Sequence, residues 1–349
     1  IEEEIDFSFE KSNILSANSI YDKKFEDFTV KSITMPNWFI NKDKDNEKKN
    51  KNLDILFMDL AAGQALSSLL KEGSSMELFP AYKAMAGLYD HYLKTALDSK
   101  KQSFFFHGDL HRDNVFIDFN ESYQPILTMI DFGNASKLTR IQRDFLVDVL
   151  IQTNKTMTTN EKNQDKAILK VSSIIKDYIV NEKNSNFNNR DYETLDVFFS
   201  TCFNPKSTII DKQVKSEILF DNLRAFKCEK EEVLKDSSAN KISKLDELQV
   251  SIDLINSMLN NCLNGSSSSL LPVLASQNSV SDKLNLVFSE LIKNGIGLPT
   301  NIIFFNKSKL LLEGLVSNIE SKMEEKNMDF KRIETNQVFL QVIKKLKKR

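Results

Sequence analysis

Apolar positions recur along this chain with two different periods. Around 104–131 they come in short runs of β-branched and aromatic residues, "FFF", "VFIDF" (115–119) and "ILTMID" (126–131), with the polar "NESYQP" between the last two. That spacing predicts two short strands joined as a hairpin. From "RIQRDFLVDVLIQT" (140–153) onward, apolar residues return every three or four positions, which predicts a mostly helical chain. Its best-defined segments are 161–183, 243–264, 280–294 and 307–325, with "NGSSSSLLP" (264–272) as a loop.

Ahead of the hairpin the pattern is mixed. "EEEIDFSFEKSNILSANSIY" (2–21) reads as a helix with a weak apolar face of Ile5, Phe9 and Ile14. "FTVKSITMPNWFI" (28–40) is β-branched and aromatic, and Pro36 breaks it, so it is expected as an edge strand. "NKDKDNEKKNKN" (41–52) has nothing to bury and reads as a solvated loop. "LDILFMDL" (53–60) is expected as a buried strand, with Gly63 marking the turn after it. "ALSSLLKEG" then opens a helix, and "FPAYKAMAGLYDHYLKTALDS" supplies a longer amphipathic one.

At 349 residues the chain can build one large domain or a two-lobed unit. Hydrophobic residues at 41% and charged residues at 28% place it among globular proteins. A formal charge of -2 supplies no global basic field, so a nucleic-acid partner is not expected. Cys202, Cys228 and Cys262 are widely spaced and odd in number, which suggests buried thiols in a reducing compartment. The acidic start "IEEEIDF" carries no signal-peptide pattern and opens on Ile1, which suggests a processed chain or a fragment. With no apolar run near the roughly 20 residues of a membrane span, an intracellular protein is expected, in cytoplasm or organelle matrix.

The chemistry sits in "FFFHGDLHRDNVFID" (104–118), which holds two of the chain's three histidines. His107 and His111 flank Asp109, and Asn114 follows. The hairpin folds the second strand back beside the first, so Asp131, at its end, can approach Asn114. A carboxylate and an amide oxygen facing one gap suit Mg²⁺ carrying a nucleotide phosphate. Asp109 is then left to orient or deprotonate an attacking hydroxyl. His107 is expected to support the loop backbone through hydrogen bonds, and His111 to reach the transferred phosphate or the substrate.

The order His107-Gly108-Asp109, Asn114, then Asp131-Phe132-Gly133 resembles the protein-kinase pattern H-R-D-x-x-x-x-N followed by D-F-G. The flanks resemble the UbiB-type (AarF-domain) atypical kinases. "EIDFSFEKSN" is similar to that family's E-x-D-x-x-x-E-x-x-N helix through Glu4, Asp6, Glu10 and Asn13. "MPNWF" and "ILFMDLAAGQAL" resemble its P-x-v-y strand and its hinge, and "GLPTNIIFFNKSKLLLEGLVSNIES" a late segment. Gly108 stands where that family carries alanine, and Arg112-Asp113 where it carries Pro-Gly.

The resemblance implies an α+β, protein-kinase-like fold: a small partial N-lobe and hinge strand (1–60), and a large, mostly helical C-lobe (61–349) containing the catalytic β-hairpin and loop (104–134). It implies ATP and Mg as cofactors, with Asp109 and His111 catalytic, Asn114 and Asp131 binding metal, and Glu10, Met58, Asp59, Asn114 and Asp131 binding the nucleotide. Glu10 would pair with a lysine on a strand upstream of Ile1, and Glu4 with Asp6 would form an acidic substrate-occluding motif. The implied activity is an ATP-dependent kinase or ATPase, in ubiquinone or isoprenoid-lipid metabolism at a membrane surface. The acceptor is left open. A small-molecule phosphotransferase of the aminoglycoside or choline type, and a catalytically silent scaffold, are the alternatives.

Other features read more plainly. Trp38, Met58 and the Phe-rich stretches suit a core. His91 reads as a half-exposed helix residue. The tail "VFLQVIKKLKKR" sets Val338, Leu340, Ile343 and Leu346 beside basic residues; a solvated helix end is the plainer expectation, and an anionic membrane surface the other.

Overall fold

A computed structural model describes residues 7–37, 55–98, 104–158, 161–182, 209–235, 241–263, 280–293 and 298–347. Glu4, Asp6, Trp38, Cys202, the charged run 41–52 and the loop 264–272 lie outside them. The described chain is mixed α+β, mostly helical with a small sheet. It divides into two compact units, one of residues 1–143 with 300–349 and one of residues 144–299.

In the first unit, helix α1 (Ser8–Tyr21) leads into strands β1 (Lys23–Lys24) and β2 (Thr29–Ser32). Strand β3 (Gln64–Ala65), α2 (Leu66–Glu72) and the long α3 (Ser75–Leu97) follow. Next come β4 (Phe104–Phe106), β5 (Val115–Phe119), β6 (Pro125–Met129) and β7 (Ser136–Leu138). One sheet has the order β1-β2-β6-β5-β3, and β4 pairs with β7 in a second. The expected hairpin is there: β5 runs antiparallel to β6, with Val115 opposite Met129 and Phe119 opposite Pro125. Ile117 and Leu127, paired on one face, are both buried. Strand β2 runs parallel to β6 and lies between it and β1. The edge position expected for it belongs to the two residues of β1, whose charged Lys23 and Lys24 suit an exposed rim.

The core of this unit is aromatic. Tyr21 stacks on Tyr92, Tyr92 stacks on Phe305, and Phe305 meets Phe106 edge-on at 5.7 Å between ring centres. Phe305 belongs to α9 (Thr300–Glu325), which packs on α3 and is followed by α10 (Thr335–Lys347). A polar clasp reinforces that packing: the Tyr89 hydroxyl donates to Glu313, and the buried Lys309 pairs with the same carboxylate at 3.1 Å. Burial and the Glu313 charge push the Tyr89 hydroxyl up. A buried ammonium needs such a partner, because alone its desolvation would be costly.

Helix α4 (Arg140–Thr158) crosses the boundary between the units. The second unit continues with α5 (Glu161–Glu182), α6 (Ile209–Lys235), α7 (Lys241–Leu263) and α8 (Val280–Lys293). Its α6 and α7 pack together, and Phe145 stacks on Tyr178 at 4.0 Å.

Several expectations are corrected. The stretch 55–60 is irregular rather than a buried strand, and it exposes Ile55, Phe57, Met58 and Leu60, so Met58 is not core. Phe9 is 68% exposed; α1 buries Ile14, Ala17 and Tyr21 instead, a stripe spaced by three and four residues. His91 is buried rather than half-exposed, with Nε2 bonded to Tyr21 O at 3.2 Å and its ring edge-on to Tyr21 and Phe25. Cys228 is exposed, not buried. The tail helix α10 buries Phe339, Val342 and Ile343, so much of its apolar face is already packed. No helix among the described residues is long and apolar enough to cross a membrane.

Candidate active site

The loop between β4 and β5 is held by backbone demands that its sequence meets. Gly108 has φ +82, and a side-chain carbon there would lie 1.9 Å from Asn134 O, so only glycine fits. His107 is fully buried. Its Nε2 donates to Ile130 O at 2.8 Å, while its Nδ1 accepts the Asp109 amide at 3.4 Å. One neutral tautomer satisfies both bonds, and it ties the end of β6 to the start of the loop. Burial pushes the imidazole down to about 4, so His107 is neutral at physiological pH. It supports backbone, as the sequence suggested.

Asn114 is the hub. Its Nδ2 donates to Asp109 O at 3.1 Å and lies 3.5 Å from Asp131 Oδ2. The Asn114 carbonyl accepts the Ile130 amide at 3.0 Å, an extension of the β5–β6 ladder that sets Asp131 beside it. Asp131 itself has φ +60, a conformation that L-residues adopt sparingly and that concentrates at functional sites. Its Oδ1 accepts the Gly133 amide at 3.4 Å. Asn114 is thus in contact with both other residues predicted to act with it, with Asp109 through the backbone carbonyl and with Asp131 through the carboxylate.

Helix α1 approaches the same place. Asn13 donates to Phe132 O at 3.0 Å and to Ala135 O at 3.3 Å. Glu10 is half-buried; burial raises its carboxyl above the ordinary 4.5, and the Asp131 charge raises it further, against a hydrogen bond from the Phe132 backbone. Asn114 has committed its Nδ2, which leaves Oδ1 as the atom able to meet a metal. With the Asp131 carboxylate this is a hard-oxygen set of the kind that Mg²⁺ takes when phosphates and water complete its shell. Among the described residues no group of three or more His, Cys, Asp or Glu is placed to hold a metal ion.

The remaining predicted residues are placed differently. His111 is partly exposed, and its Nδ1 accepts the Asp113 amide at 3.2 Å, so a neutral ring carries its proton on Nε2. Met58 is exposed, and Asp59 pairs with residue 34: its amide donates to Thr34 O, and its carboxylate accepts the Thr34 hydroxyl at 2.5 Å. Lys307 was not foreseen. Its Nζ lies 2.9 Å from Asp109 Oδ1. Nothing local in the sequence marks it, because the link depends on how α9 packs; the only signal was that its segment resembled a late part of a kinase-like family.

A carboxylate, an amide and a second carboxylate in this order around one loop and hairpin resemble the arrangement of protein-kinase-like phosphotransferases. The comparison with known families agrees: residues 43–142 match the model of the Phosphotransferase enzyme family, APH, which is protein-kinase-like. That stretch contains Met58, Asp59, Asp109, His111, Asn114 and Asp131, whereas Glu10 and Lys307 lie outside it. No curated protein matches the chain.

Proposed function

We propose that the chain is a Mg-ATP-dependent phosphotransferase that passes the terminal phosphoryl group to a small hydroxyl acceptor, or to water when no acceptor is bound. The observation that carries this reading is the junction at Asn114, which ties Asp109 and Asp131 into one constellation. Asp109 accepts the proton of the acceptor hydroxyl as its oxygen bonds to phosphorus. The bond from phosphorus to the bridging oxygen breaks, and its electron pair leaves on ADP. Asn114 Oδ1 and the Asp131 carboxylate would hold the Mg²⁺ ion, which when bound neutralises phosphate charge. Residues 55–60 stand in this reading for the hinge region and the hairpin for the floor of a nucleotide cleft, with 1–60 as part of a smaller lobe.

Asp131→Ala tests it. In the unsubstituted chain Mg-ATP at 100 times its Kd should stabilise the fold by about 2.7 kcal/mol. Asp131→Ala should lose that Mg²⁺-dependent thermal shift, measured against its own ligand-free melting temperature. An unchanged shift in Asp131→Ala would sink the assignment.

A UbiB-type kinase or ATPase acting at a lipid surface is the second reading, favoured by α1. Its Asn13 grips Phe132 and Ala135, and its Glu10 approaches Asp131, as the E-x-x-N resemblance implies. Gly108 weighs the other way, since an alanine there would collide with Asn134 O. A screen of amino-alcohol acceptors separates the two: turnover with one favours the small-molecule enzyme, and turnover confined to lipid-bearing vesicles favours the other.

A further inference from the structure

Phosphoryl transfer at this site gathers negative charge. The phosphoryl oxygens would come up against Asp109 and Asp131, with Glu10 behind them. Of the loop's own basic side chains, Arg112 Nε lies 3.9 Å from Asp113 Oδ2, and His111 Nδ1 accepts the Asp113 amide. Among the described residues, the cation within ion-pair distance of Asp109 is Lys307, at 2.9 Å.

We propose that Lys307 is a catalytic residue, whose ammonium group binds the transferred phosphoryl group on the side of Asp109. The proposal rests on the phosphotransferase reading above. Three observations support it. First, α9 is fixed at the point where Lys307 leaves it. Asn301 donates to Lys137 O at 3.0 Å and accepts from the Ser136 hydroxyl, Phe305 is clamped between Tyr92 and Phe106, and Lys309 is buried against Glu313. Second, the pair has little to offer the fold: the Lys307 side chain is 53% exposed and that of Asp109 25%, and exposed ion pairs add little to stability. Third, an ammonium group carries three N–H donors, so it can keep Asp109 Oδ1 while donating to a phosphoryl oxygen. As the acceptor oxygen bonds to phosphorus, its proton passes to Asp109 and the bridging oxygen leaves with ADP. Lys307 then neutralises the equatorial charge from the acceptor side, opposite the ADP.

The test uses the full chain with Lys307→Met and Lys307→Arg, titrated calorimetrically with Mg-ATP and with Mg-ADP. Lys307→Met should reduce the preference for ATP over ADP by about tenfold, the loss expected of one charge-assisted hydrogen bond. It should leave Mg-ADP affinity and the ligand-free melting temperature essentially unchanged. Phosphate release from ATP should fall by roughly 10²–10³-fold, and Lys307→Arg should restore much of the ATP preference. An unchanged preference, an equal loss of both nucleotides, or a melting temperature several degrees lower would each overturn the proposal, the last two by making Lys307 a structural support. If the unsubstituted chain binds neither nucleotide, the phosphotransferase reading itself falls; if it binds and turns over ATP while Lys307→Met behaves identically, only the role of Lys307 falls.

Discussion

His107 shows why a histidine, and not simply a polar residue, stands two positions before Asp109. A neutral imidazole carries a donor and an acceptor at opposite ends of a rigid ring, and here each end meets one backbone group. That fit has a price in acid. Burial lowers the group from 6.5 to about 4, so the folded chain holds this proton more weakly than the unfolded chain does. The stability it supports is complete above pH 6.5 and drains away as pH falls toward 4; at pH 4.5 the loss is roughly 2–3 kcal/mol. Urea midpoints at pH 7 and 4.5 should show it, and His107→Gln should be weaker at pH 7 yet lose less on acidification. An identical acid slope in the variant would count against this assignment. Residues of this kind were legible in the sequence because the loop is short: the spacing of Asp109, Asn114 and Asp131 is set by a hairpin, and a hairpin is local. Lys307 was not legible, since its partner lies far away along the chain.

Elements, unlike single residues, were read through periodicity, and periodicity failed where burial and composition part company. "LDILFMDL" has the makeup of an inner strand, but 55–60 lies irregular and exposed. Helix α6 lies in a stretch expected to be mostly helical but was not singled out, because its many charged residues dilute its apolar stripe, even though Leu219, Leu223 and Phe226 are buried at spacings of four and three. The hairpin and α3 were read well, since β-branched alternation and a long amphipathic run each have few other outcomes. Helix α1 offers the sharpest test at this scale, because it carries two asparagines with separable duties. Asn13 caps carbonyls next to Asp131, whereas Asn18 bonds Ile33 O at 3.0 Å. Each alanine substitution should cost about 1–3 kcal/mol, read from denaturant midpoints. Only Asn13→Ala should also weaken Mg-ATP binding. Equal effects on the nucleotide would mean that α1 acts as a generic prop.

For the whole molecule, the division at 143 and 299 was not visible in the sequence. No composition shift or repeat announces it, and the boundary falls inside α4, where helical periodicity runs on unbroken. Units that each bury their own apolar residues tend to unfold separately. Scanning calorimetry of the full chain should therefore resolve two transitions. Mg-ATP should raise the one belonging to residues 1–143 with 300–349, which hold Asp109, Asn114, Asp131 and Lys307, and leave the other in place. A single transition shifted as a whole would show that the two units melt together.

Because α9 lies beyond the inserted unit, synthesis of this protein delivers its centre in two instalments. The loop and hairpin emerge from the ribosome early, while Asn301, Phe305 and Lys307 arrive only after residues 144–299 have been translated, a delay on the order of 10 s. Throughout that interval the nascent chain presents Asp109 without its lysine and the aromatic stack without Phe305.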